Sequence, residues 1–137
     1  MRASGTFKVA AFTPASVPVA AIETALPVGV ATMEKEFEGE IVGCSATLFT
    51  SAFDPNGGTG TYVAMESFTG TLQERAGAFN FAHAATTLGE GRQAEYFVIV
   101  PTSGTGELAG ITGTGGLAVE PDGTHRIWFD YEFGDAV

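Results

Sequence analysis

Hydrophobic and polar residues alternate along most of this chain with a period of two, the spacing of side chains on a β-strand with one buried face. The pattern is clearest from Gly60 to Pro101, which reads as three consecutive strands: GTYVAMESFTGTL, GAFNFAHAATT and GRQAEYFVIVP. In the first, Tyr62, Ala64, Glu66, Phe68 and Leu72 share one phase; in the second, Phe79, Phe81, His83 and Ala85 do. One carboxylate and one imidazole therefore sit inside otherwise apolar rows.

Further strands flank this meander. Phe7 and Val9 open an alternating run over Gly5 to Phe12. The run Thr32 to Glu40 sets Glu34, Glu36, Glu38 and Glu40 on one phase and Met33, Lys35 and Phe37 on the other, as a strand with a wet outer face would. Cys44 to Phe53 precedes the turn Asp54-Pro55-Asn56-Gly57-Gly58, in which proline presets φ and Asn-Gly accepts positive φ. After Pro101 the glycine-rich stretch TSGTGELAGITGTGGL lacks the Lys-Ser or Lys-Thr of a phosphate loop. It reads as a tight connection with one turn at Glu107-Leu108-Ala109, anchored by Leu108 and Ile111. The last strand, Thr124 to Phe133, places Ile127, Phe129, Tyr131 and Phe133 on its inner phase, with His125 at the surface.

The expected architecture is all-β with little helix: about eight short strands in one domain over residues 1–137, closed as an antiparallel barrel because closure removes exposed edges. A four-residue loop at Glu74 to Gly77 would set Phe68 opposite His83. A loop at Leu88 to Gly91 would set Tyr96 opposite His83. Glu66, His83 and Tyr96 then share one cavity with Tyr62, Phe68, Phe79, Phe81 and Val98.

Composition narrows the partners. Six Lys plus Arg against 16 Asp plus Glu give a net charge of -10, which disfavours nucleic acid and anionic membrane surfaces. Cys44 is the single cysteine, so there is neither an internal disulfide nor a cysteine metal cage, in keeping with a reducing cytoplasm. Pro14 to Ala31 is mildly apolar, but Pro14, Pro18, Glu23 and Pro27 break it into a loop or poorly paired connection. Eleven Phe, one Trp and three Tyr exceed what one narrow bore hides, which predicts an outer apolar patch and a symmetric homo-oligomer.

The segments YVAMESFTGTL, GAFNFAH, VIVPTSGTGELAGITGTG and IWFDYEF resemble an uncharacterised bacterial family with an allene oxide cyclase-like barrel. The resemblance runs roughly from Phe7 to Phe133 and is strongest from Tyr62 to Gly113. It implies an eight-stranded antiparallel barrel, often oligomeric, with a pocket on its axis, and it includes the positions of Glu66 and His83. It does not carry over the cyclase reaction.

His83 and Glu66 are the candidate catalytic pair: an imidazole that titrates near neutrality and a carboxylate in an apolar setting. The alternative is a pair of satisfied core groups. With two histidines, neither in a nucleophile-elbow context, there is no Ser-His-Asp set and no metal-ligand spacing. Three functions stay open: a cofactor-free isomerase or cyclase acting on a small apolar substrate, a non-catalytic ligand-binding barrel, and an oligomeric scaffold whose barrel is filled.

Overall fold

A computed structural model describes residues 1–134. Eight strands follow one another around a ring: β1 (Arg2–Ala15), β2 (Gly29–Gly39), β3 (Ile41–Asp54), β4 (Thr59–Leu72), β5 (Arg75–Leu88), β6 (Gln93–Ile99), β7 (Ile111–Val119) and β8 (His125–Phe133). Every neighbouring pair is antiparallel, and β1 pairs with β8 to close the barrel. The strand order equals the sequence order, as expected when consecutive strands pair as neighbours. The described residues contain no α-helix; a single 3-10 turn, Gly106–Leu108, lies between β6 and β7.

The interior is layered. Ile41, Leu72, Leu108 and Ile111 plug one end and are fully buried. Leu108 enters because the preceding chain presses against β5: a Cβ on Gly77 would sit 2.1 Å from the Thr105 carbonyl oxygen. Next comes an aromatic layer of Phe37, Phe68, Phe79, Phe81 and Phe129, all at most 3% exposed. Phe79 and Phe81 meet Phe129 edge-on, at 81° and 84°, the arrangement the ring quadrupole favours. Each buried Phe contributes about 1.5–3 kcal/mol of apolar burial. Above them Lys35, Ser45, Glu66 and His83 form a buried polar layer. Beyond that layer the barrel opens.

The second phase of β2 behaves as its sequence requires: Lys35 and Phe37 point in, and Glu34, Glu36, Glu38 and Glu40 face solvent. On β8, Ile127, Phe129 and Tyr131 are buried, as expected, whereas His125 stacks on Phe7 at 5.0 Å rather than lying free on the surface. The proline-bearing connection spans residues 16–28; Pro14 and Ala15 still belong to β1.

Two registers differ from expectation. The β4–β5 turn has two residues, Gln73 and Glu74, both with positive φ, so Phe68 faces Phe79 and Ala64 faces His83. The shift is four residues and therefore preserves every side-chain phase. On β6 the end near the turn pairs as the loop length predicts, Thr86 with Gln93, but an irregularity at Ala84/Thr86 moves the rest by one residue. Ala94, at φ 50°, takes up the extra residue. Phe97 now faces His83, while Tyr96 and Val98 pair with Ala84 and Ala82 on the outer phase.

One seam of the ring is thin. The ladder between β6 and β7 consists of a single pair, Ile99 with Gly113. Toward the open end the Phe97 ring fills the gap instead: a Cβ on Gly115 would lie 2.7 Å from it.

Candidate functional site

The open half of the barrel holds a cavity of about 940 Å³. Its walls are largely apolar: Phe12, Phe49, Phe53, Ala85, Leu117 and Val119, with Trp128 bordering it at the seam from the outer phase of β8. Tyr62, Arg92 and Glu95 are the chemically active groups that reach it. Because Leu117, Ala118 and Trp128 belong to β7 and β8 while Arg92 just precedes β6 and Glu95 lies near its start, the cavity also runs along the thin seam.

Below Tyr62 a chain of hydrogen bonds passes into the buried layer. Arg92 donates from Nε to Glu95 at 2.7 Å and from Nη2 to the Tyr62 hydroxyl at 2.8 Å. The Tyr62 oxygen thus accepts from Arg92 and lies 2.8 Å from His83 Nδ1. The ionised Glu66 carboxylate can only accept, which assigns the His83 proton to Nε2, donating to Glu66 Oε1 at 2.8 Å, and leaves Nδ1 to accept the Tyr62 proton. Lys35 Nζ donates to the same oxygen at 2.9 Å, and Ser45 donates to Glu66 Oε2 at 2.5 Å. The His83 ring is walled by Phe81 and Phe97, stacked at 5.6 and 5.9 Å.

Each protonation state follows from these contacts. Burial opposes the Glu66 charge, but hydrogen bonds from His83 and Ser45 and the Lys35 ammonium outweigh it and hold the carboxyl below its usual range. Burial lowers the His83 pKa; Lys35 and Arg92 add to this, against the opposing pull of Glu66. Burial raises Tyr62, partly offset by Arg92. At neutral pH the layer therefore holds an ionised Glu66 beside Lys35, a neutral His83 and a protonated Tyr62.

Of the residues expected to share a site, Glu66, His83 and Tyr62 are brought together. They are not equivalent: Glu66 and His83 are 0% and 3% exposed and lie beneath the cavity, which Tyr62 alone of the three reaches. Phe68, Phe79 and Phe81 point inward but belong to the packed aromatic layer, not to the cavity wall. Tyr96 and Val98 lie on the outer surface, for the one-residue register reason above, and Tyr96 is 58% exposed.

Lys35, Ser45 and Arg92 were not anticipated. Lys35 carried a signal, a cation inside the apolar phase Met33, Lys35, Phe37; Ser45 and Arg92 carried none. Among the described residues no group of three or more His, Cys, Asp or Glu side chains is placed to hold a metal ion. Among them, too, no helix is long and apolar enough to cross a membrane.

Comparison with known proteins agrees with this architecture. A crystal structure of a protein of unknown function from the DUF3224 family of Shewanella oneidensis MR-1 is similar to the chain, with 31% identity, a TM-score of 0.86, and coverage of 99% of this chain and 98% of the other. No curated protein matches. The profile of the DUF3224 family, proteins of unknown function, matches residues 3–131, and the chain belongs to that family.

Proposed function

We propose that the protein binds a small, uncharged, largely apolar molecule in the open half of its barrel. The carrying observation is the contrast between the two halves: one closed by a packed aromatic layer, the other an apolar cavity of about 940 Å³ with a few polar groups at its floor. That volume and balance suit a small-molecule site. A chain with an exposed free Cys44 is suited to a reducing cytoplasm, and we place its work there. Trp128, the single tryptophan, lines the cavity and reports on it. Titration with the neutral dye 1-aminoanthracene is expected to change Trp128 emission saturably, and Ala85→Leu, which narrows the cavity beside Tyr62, to weaken the affinity. Emission that never saturates, or that ignores Ala85→Leu, overturns the reading.

One observation favours catalysis over mere retention, namely the Tyr62–His83–Glu66 relay at the cavity floor. A cofactor-free isomerase or cyclase needs a proton acceptor beside its substrate, and a simple carrier does not.

A further inference from the structure

We infer that Tyr62, rather than His83 or Glu66, is the catalytic residue, and that the substrate is an uncharged apolar compound with an enolisable carbonyl group. The inference rests on the binding reading above. Its basis is the direction of the hydrogen bonds. The Tyr62 hydroxyl accepts from Arg92 Nη2 and gives its proton to His83 Nδ1, so the phenol oxygen is polarised toward a base on the side away from the cavity. His83 in turn is backed by Glu66, and Glu66 is held by Lys35 and Ser45. This has the logic of an activated hydroxyl with a base and an orienting carboxylate, with a phenol in the leading place.

The step balances without a cofactor. The Tyr62 O–H bond breaks as an N–H bond forms at His83 Nδ1, and the Tyr62 oxygen takes a proton from the carbon next to the substrate carbonyl. The C–H electron pair becomes the C=C bond, and the carbonyl π pair moves to oxygen as an enolate beside Arg92. The imidazolium faces the Glu66 carboxylate. In the return step His83 gives its proton back to Tyr62 while the proton held by Tyr62 passes to a carbon of the enolate. Return to the same carbon exchanges hydrogen; return to another carbon of a conjugated enolate shifts the double bond.

The charges set the substrate class. Arg92 is already paired with Glu95, so the cavity offers no net cation, and the chain as a whole carries -10. Anionic substrates are repelled, while a carbonyl oxygen accepts from Arg92. Around His83 the titratable neighbours are Tyr62 and Glu66 from β4, Lys35 from β2, and Arg92 before β6; the β6 ring packed on it, Phe97, does not titrate.

The test uses 2-tetralone, 2-indanone and 3-cyclohexenone in D2O, with binding read from Trp128 and α-hydrogen exchange read by NMR. A ketone that binds is expected to exchange at least about 100-fold faster with the wild type than with Tyr62→Phe, the lower end of general acid–base effects. The wild-type rate is expected to fall on the acid side, where a protonated His83 no longer accepts from Tyr62. His83→Gln, which can still accept that hydrogen bond but is not basic enough to take up the proton, is expected to show the same loss should Tyr62→Phe not fold. Equal exchange of a bound ketone by wild type and variants overturns the catalytic role of Tyr62. If 1-aminoanthracene binds and no ketone does, the substrate class is wrong and the binding reading stands. If neither binds, the binding reading itself fails.

Discussion

His83 Nε2 and Glu66 Oε1 are 2.8 Å apart on neighbouring strands, and both side chains are almost wholly removed from water. The pair depends on charge held elsewhere, because the same oxygen also accepts from Lys35. Neutral imidazole is what lets the Tyr62 proton point inward, so the protonation of one buried ring ties stability to the state of the site.

Stability should therefore fall in acid. The His83 pKa is lowered from 6.5 by burial, so below about pH 6.5 the unfolded chain takes up a proton that the folded one resists. Glu66 is held below the ordinary carboxylate value of 4.5 by its hydrogen bonds and Lys35, so its contribution is present above that pH and is lost as the pH falls through the folded value. The two effects have the same sign. Urea unfolding midpoints should be flat above pH 7 and decline below it, and His83→Gln should remove the earlier part of the decline. A midpoint that rises between pH 7 and 5 contradicts this.

Lys35→Met should be among the most damaging single changes, because it leaves the Glu66 carboxylate buried without its cation. A loss of about 3–5 kcal/mol is expected from breaking one side of a buried ion pair. Combining it with Glu66→Leu should recover much of that loss in a double-mutant cycle by chemical denaturation. Additive losses would show that the two charges do not depend on each other.

Thr47 offers the opposite case. Its hydroxyl is buried and makes no hydrogen bond among the described residues, although the residue sits opposite Glu66 in the β3–β4 ladder. Thr47→Val keeps the shape and removes the unpaired group, and a gain of about 1 kcal/mol should appear in the urea midpoint. Thr47→Ser, which keeps the hydroxyl, should not gain.

On the outer wall, Leu48, Met65, Ala82 and Val98 form one cross-strand row, and Val63, Ala84 and Tyr96 form the next. Leu48, Val63, Met65 and Tyr96 are each about half exposed or more. We propose that a second copy of the chain covers this uncharged face, since it is where a protein of charge -10 repels its own kind least. Light scattering should give a mass above that of one chain, and Met65→Glu should reduce it to one chain. A wild-type monomer at micromolar concentration would refute the assembly.

The sequence made the barrel legible because period-two phases survive errors in loop length. The first hairpin was displaced by four residues, and Glu66 and His83 still met, because an even shift leaves each side chain on its face. The second hairpin shows the limit. A single extra residue near Ala94 leaves no mark in composition, yet it exchanges Tyr96 and Val98 for Phe97. The Glu66 partners came from distant strands, Lys35 on β2 and Ser45 on β3, and alternation along one strand says nothing of which rows meet across the bore. Depth was hidden for the same reason: phase tells inward from outward, but it does not tell a packed floor from an open vessel.

The single-rung seam between β6 and β7 bears on the length of molecule the barrel can take. A cylinder laced all the way round admits only what fits down its axis. Here the Phe97 side chain, packed on Phe81, His83 and Phe129, closes part of the wall where a ladder of backbone bonds would otherwise stand. For the ligand proposed above, the cavity that runs along this seam would let a tail project sideways between the strands from a head group at Tyr62, so that selection would act on the head group while the tail could vary in length.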